Sequence, residues 1–113
     1  PELARQLSQA LENDGYAVDV AVDGEQGHYL GEVEPYDVVV LDLGLPVTDG
    51  LTVLERWREA QRSMPVLILT ARDAWRQKVA AFDAGADDYV TKPFRIEEVV
   101  VATVSMKSQD RRI

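Results

Sequence analysis

Apolar residues in PELARQLSQALENDG fall at Leu3, Leu7, Ala10 and Leu11, a helical spacing. Pro1 suits a helix start, and Gly15 suits the left-handed position just past a helix end. The first element is therefore predicted to be a helix. In YAVDVAV the period changes to two. Tyr16, Val18, Val20 and Val22 share one face and Ala17, Asp19 and Ala21 the other, which predicts a strand. DGEQGHYLGEVEP predicts a weaker helix, because Gly27 and Gly31 each cost about 1 kcal/mol relative to alanine.

YDVVVLDLGLP contains a continuous apolar run, the habit of a parallel strand covered on both faces. VTDGLTVLERWREAQRS opens on candidate caps Thr48 and Asp49 and places Leu51, Leu54 and Trp57 near one stripe of a helix. MPVLILTA is a second buried strand. RDAWRQKVAAFDAGA sets Trp75, Val79 and Phe82 on a helical face, with Gly85 as its stop. DDYVTKPF is a further strand ending at Lys92-Pro93. RIEEVVVATVSMKSQDRRI is expected to be the last helix, although Val99, Val100, Val101, Thr103 and Val104 are poor helix formers. KSQDRRI reads as a frayed end or the start of a linker.

Alternating helices and apolar strands predict an α/β fold with a mostly parallel sheet. The length of 113 residues fits one domain with one core. Twelve Lys plus Arg stand against twenty Asp plus Glu, a net charge of −8. That field argues against nucleic acid held by this chain itself. With no cysteine, there is neither a disulfide framework nor a thiolate metal site, and a cytoplasmic setting is expected. No stretch approaches the roughly 18 apolar residues of a membrane span, so no membrane partner is expected. The chain opens on Pro1 and not on Met, which reads as a clipped start.

Ligand sites in such sheets lie beyond the carboxyl ends of the strands. Three predicted strands end in chemistry there: Asp42, Thr70 and Lys92. Taken singly, Asp42 reads equally as a turn or cap residue, Thr70 as a strand-end hydroxyl and Lys92 as a solvated lysine. Together they suit one reaction. A carboxylate can attack phosphorus to give an aspartyl phosphate. The new phosphoryl oxygens then call for a cation and a hydroxyl donor.

YDVVVLDLGLPVTDG, MPVLILTARD and AGADDYVTKPF, in that order and spacing, resemble the three diagnostic blocks of the receiver domain of two-component response regulators. The LDLGLP and LTARDAWRQKV wording is most similar to the OmpR/PhoP subclass of transcriptional regulators. The resemblance covers nearly the whole chain, residues 1–113, as a receiver without an output domain. It implies the flavodoxin-like (CheY-like) doubly wound sheet of strand order 2-1-3-4-5. It also implies that Asp42 is the phospho-acceptor and that the backbone carbonyl of Gly44 joins Asp42 in holding Mg²⁺. Thr70 and Ala71 would contact the phosphoryl oxygens and Lys92 would pair with them. Tyr89 would be an aromatic switch that turns inward as Thr70 moves, and the Lys92-Pro93 bond would be cis. The implied partners are a sensor histidine kinase, DNA through an output domain outside this chain, and a second copy through the family's fourth helix, fifth strand and fifth helix. Lys78, Asp88 and Glu98 match positions of that face. Ala102 stands where the subclass has an arginine. The chain is not expected to be an enzyme.

The chain departs from the family at its start, where the first strand and its terminal acidic pair are missing. Two consequences are expected. YAVDVAV loses its neighbour in the sheet. The Mg²⁺ site loses carboxylates, so metal binding is expected to be weak. The alternative reading is a receiver-like interaction module that works without phosphorylation. A phosphatase of the haloacid-dehalogenase type is disfavoured, because it needs a second aspartate where this chain has Gly44. His28, the one histidine, reads as a surface helical residue, and Trp57 and Trp75 as partly buried packing.

Overall fold

The computed structural model describes residues 2–43, 49–71 and 75–110, with side chains followed to residue 106. Its elements run α1 (Glu2–Asn13), α2 (Gly24–Val33), β1 (Val39–Asp42), α3 (Gly50–Glu59), β2 (Val66–Ala71), α4 (Trp75–Asp83), β3 (Asp88–Lys92) and α5 (Ile96–Asp110). The three strands form one sheet in the order β1-β2-β3, parallel throughout. Both of its faces are covered. Leu41, Val66 and Ile68 point into one cluster with Val53, Leu54 and Trp57 of α3 and Ala81 of α4. Leu67 and Leu69 point into the other, with Leu7 of α1 and Val99 and Met106 of α5. The unbroken apolar run of β2 follows from this two-sided cover.

Helix ends obey the sequence. Asp23 caps α2 by accepting from the Gln26 N–H at 2.9 Å, and the Gln26 side chain accepts from the Val22 N–H. Asp49 caps α3, accepting from the Thr52 N–H at 3.0 Å, while the other candidate cap, Thr48, lies outside the described residues, as does Pro1. Gly15 and Gly85 take the left-handed conformation after α1 and α4. In the first turn of α5, Glu98 accepts from the Arg95 N–H at 2.8 Å, half of a capping box. α5 extends to Asp110, beyond the point from which fraying was expected.

The weakness of α2 has a structural use. A Cβ on Gly31 would overlap the Trp57 indole, so only glycine lets α2 close on α3 there. The indole Nε1–H donates to the His28 carbonyl at 3.0 Å, and Trp57 is 2 % exposed, a core residue and not the partly buried one expected. His28 itself is half-buried beside Glu32. Trp75, Val79 and Phe82 do share a face, but they lie on the surface, Trp75 being 70 % exposed. Helical period locates a stripe without saying which side the core is on.

The main correction concerns residues 16–22. They form no strand. A strand exists through its ladder, and among the described residues no strand stands between this segment and β1 to supply one. In the 2-1-3-4-5 order that position belongs to strand 1. Val20 and Val22 are consequently 44 % and 65 % exposed despite their alternation. The Tyr36 hydroxyl, just ahead of β1, donates to Asp19 Oδ2 at 2.7 Å and ties the segment down.

Two outcomes test this packing. Gly31→Ala should destabilise the chain by about 1–3 kcal/mol through overpacking against Trp57, read as a lower urea midpoint. Desolvation, then the Asp19 carboxylate, pushes the Tyr36 hydroxyl up from 10.0 to about 12. The proton is held more tightly folded than unfolded, so this stabilisation is complete below pH 10 and drains as pH rises toward 12. Urea melts across that window should show a steeper loss for the native chain than for Tyr36→Phe.

Candidate functional site

Parallel pairing brings the carboxyl ends of β1, β2 and β3 side by side. Asp42 is in register with Leu69, Thr70 with Thr91, and Ala71 with Lys92. The close of α3 onto β1 fixes the first of these ends: a Cβ on Gly50 would meet the Asp42 carbonyl oxygen at 2.8 Å and the Leu43 Cα at 2.9 Å. No side chain larger than hydrogen fits between the helix start and the strand end.

Lys92 Nζ donates to both carboxylate oxygens of Asp42, at 3.1 and 3.0 Å. The pair is neither buried nor free in water, with side-chain exposures of 41 % for Lys92 and 28 % for Asp42. Water still screens it in part, so it holds orientation more than it adds stability. Between the two strand ends sits Thr70, 2 % exposed. Its Oγ1 is buried and has no hydrogen-bond partner among the described residues. Buried hydroxyls are nearly always satisfied, and an orphan one at a strand end calls for an explanation. The arrangement is an anion cradle in waiting: an ammonium, an uncommitted hydroxyl and the exposed strand-end residue Ala71, around a carboxylate. The Lys92-Pro93 bond is cis, as expected.

The remaining site residues lie farther out. Tyr89, in register with Ile68, is 41 % exposed. Its ring meets Phe82 edge-on at 5.8 Å, and Lys78 Nζ sits 4.8 Å above it. Lys78 is thus occupied by a ring. Asp88 Oδ1 accepts from the Tyr89 N–H, and Glu98 serves the start of α5. No ion pair joins Lys78, Asp88 and Glu98 among the described residues. Ala102 is half-buried against the Leu67–Leu69 cluster. Gly44 lies outside the described residues.

The sequence missed Arg58. Its guanidinium donates to the carbonyls of Arg62 at 2.7 Å and Gly85 at 2.8 Å, and pairs with Asp87 Oδ2 at 3.3 Å. The same Asp87 oxygen accepts from the Val66 N–H. This network ties the far ends of α3, α4 and β2 and is structural. An arginine on a polar helix face carries no local sign of such a role.

The family model described as the response regulator receiver domain matches residues 1–104. The virulence transcriptional regulatory protein PhoP of Salmonella typhimurium is 50 % identical over 99 residues, which are 87 % of this chain and 44 % of that protein. The chain therefore spans less than half the length of that relative. The Francisella response regulator 1452 receiver domain superposes with a TM-score of 0.89 at 32 % identity, covering 97 % of this chain and 91 % of that one. The receiver domain of the Pseudomonas aeruginosa sensor histidine kinase PA1611, with a magnesium ion coordinated in its active-site cleft, gives 0.80 at 29 % identity, covering 96 % and 91 %.

Magnesium does not fit the donors described here. Mg²⁺ takes near-octahedral oxygen ligands. No group of three metal-ligating side chains occurs among the described residues. Among the described residues Asp42 is the one carboxylate at the carboxyl ends of the strands, and it already accepts from Lys92 through both oxygens.

The orphan hydroxyl makes a prediction about stability. Thr70→Val replaces an unsatisfied buried group by an isosteric apolar one. It should leave stability unchanged within about 1 kcal/mol or raise it, although core threonines with bonded hydroxyls lose stability on the same change. Equilibrium urea unfolding of the two proteins decides it, and a loss well beyond that margin would mean that Thr70 is satisfied in solution.

Proposed function

The chain belongs to the response regulator receiver domain family, and from that premise we propose that it receives a phosphoryl group on Asp42. The observation that carries the reading is the double Lys92–Asp42 contact beside the unpartnered Thr70 hydroxyl. A carboxylate oxygen of Asp42 attacks phosphorus. The new O–P bond forms as the bond to the donor breaks, and the donor leaves with its electron pair. Lys92 stays within reach of the incoming negative charge and orients the nucleophile. Thr70 donates to a phosphoryl oxygen, which satisfies its hydroxyl, and the Ala71 N–H offers a second donor. Movement of Thr70 then opens room on the face where Tyr89 now packs outward on Phe82 and Lys78.

By likeness to PhoP, the donor is a sensor histidine kinase and the response passes to a DNA-binding output domain, in the cytoplasm. Among the described residues, no helix is long and apolar enough to cross a membrane. A second copy would dock through α4, β3 and α5. With Ala102 half-buried and Glu98 engaged as a cap, that dimer is weaker than is usual for the subclass. Mg²⁺ binding to this chain is weak, in keeping with a single carboxylate already held by an ammonium. That donor set also favours a second reading, an interaction module that works without phosphorylation.

One substitution separates the two. Asp42→Asn keeps the shape of the strand end and removes the nucleophile. Labelling by radioactive acetyl phosphate should fall to background while the circular dichroism spectrum stays native. Labelling that persists in the variant would move the acceptor to another residue. A native chain that takes no label and still binds its partner would establish the second reading.

A further inference from the structure

We propose that the outward face of α2 docks a basic amphipathic helix of a protein partner. Tyr29 and Val33 meet the apolar stripe of that helix, and Glu25, Glu32 and Glu34 meet the cations beside it. This inference stands apart from phosphoryl transfer at Asp42.

Contacts with α3 decide which side of α2 faces out. Gly31 packs on the Trp57 indole, whose Nε1–H donates to the His28 carbonyl. Arg62, just past α3, donates to the carbonyls of Gly31 and Glu34 at 3.3 and 3.0 Å. These bonds fix the rotation of α2 about its axis. Tyr29 and Val33, one helical turn apart, share the side left over. They are 63 % and 48 % exposed. Neither borders the space beside β1, which Gly27, Leu30 and Gly31 of α2 do line, so a strand next to β1 leaves both uncovered. The result is an apolar ridge in water, and a helical ridge packs into the groove between the side-chain rows of another helix.

Charge defines the occupant. Nine of the twenty acidic residues lie in residues 1–37 against a single arginine, so this third of the chain holds the whole net charge of −8. Residues 38–113 balance, with eleven of each sign. On α2, Glu25 continues the Tyr29–Val33 stripe one turn earlier, and Glu32 and Glu34 stand at its far end, all three exposed. Glu32 pairs with His28, whereas Glu25 and Glu34 have no ion-pair partner among the described residues. Glu32 and Glu34 also work against their own helix. A helix C-terminus is the negative end of its dipole, and α2 has no basic residue in its last turn. Carboxylates there cost the fold stability and gain from cations that a partner brings. A second copy would set like charges against each other on this face, and nucleic acid would be repelled by it. A helix with lysine or arginine beside an apolar stripe satisfies both the ridge and its charges.

The test uses the 113-residue chain and a synthetic peptide of about four helical turns, with leucines along one stripe and lysines elsewhere. Two controls share its length: a scrambled peptide whose leucines are spread around the helix, and one with glutamates in place of the lysines. Amide shift changes in nitrogen-15 spectra should concentrate in residues 25–37 with the first peptide. The scrambled peptide should bind about tenfold more weakly or worse, and the glutamate peptide should not bind. The double variant Tyr29→Ser, Val33→Ser should lose about tenfold in affinity. The double variant Glu25→Lys, Glu34→Lys should lose as much and flatten the dependence on salt. The proposal is overturned if the shifts fall on the exposed Trp75 and Phe82 of α4 or scatter over the surface. It is overturned as well if the scrambled peptide or the Tyr29→Ser, Val33→Ser chain binds as tightly. Shifts in residues 25–37 that grow with protein concentration alone would also overturn it, since a second copy then covers the face.

Discussion

Parallel pairing of β1, β2 and β3 is the constraint from which the rest of this structure follows. Its register sets Asp42, Thr70 and Lys92 at adjacent strand ends, although they lie far apart in the chain. Parallel strands need crossovers, and the crossovers are the helices that cover both faces. Their cover in turn demands that β2 be apolar at every position, which Val66, Leu67, Ile68 and Leu69 satisfy at 2 % exposure or less. The site therefore rests on the core. A register slip of one residue in β2 would turn the Thr70 hydroxyl to the opposite face and undo the cradle.

The strands that form were legible because burial on two faces leaves an unmistakable apolar run. The juxtaposition of Asp42 and Lys92 was legible because parallel strands of such folds bring their carboxyl ends together, and the structure does bring the two side chains into contact. Residues 16–22 were misread for a reason of principle. Alternation describes which side chains could share a face, whereas a strand also needs a partner for its backbone, and that partner is a property of another segment. The Gly31–Trp57 contact was hidden for a similar reason. A glycine in a helix registers locally as a cost, and its benefit appears only when the neighbouring helix arrives. Trp75 and Trp57 changed places on the burial scale because nothing local distinguishes a core stripe from a surface one.

α5 shows tertiary context overruling propensity. Three consecutive valines disfavour a helix by a few tenths of a kcal/mol each. Against that stand the Glu98 cap and the complete burial of Val99 and Thr103. The Thr103 hydroxyl donates to the Val99 carbonyl at 2.7 Å, so a polar side chain enters the core without leaving its oxygen unsatisfied. The contrast with Thr70 is instructive. Two threonines are equally buried at 2 %, one with its hydroxyl bonded within its own helix, the other with no partner among the described residues. Burial alone does not distinguish the two hydroxyls; the hydrogen bond does.

The open edge and the thin metal donor set have one origin in the sheet. In a 2-1-3-4-5 order the first position lies beside β1, so the same place would supply hydrogen bonds along Val40 and ligands next to Asp42. Among the described residues no strand stands there, and Lys92 engages both carboxylate oxygens of Asp42. Any cation approaching Asp42 must compete with that ammonium and then make up its remaining ligands from water, which an exposed pair permits but does not reward. A strand in that position would alter both terms together. It would pair the β1 edge and further exclude water around Asp42, and in a lower effective dielectric each charge at the strand ends acts more strongly on the next. Fold completion and site electrostatics are therefore coupled through a single strand position, a coupling that comes from topology and needs no residue-to-residue pathway.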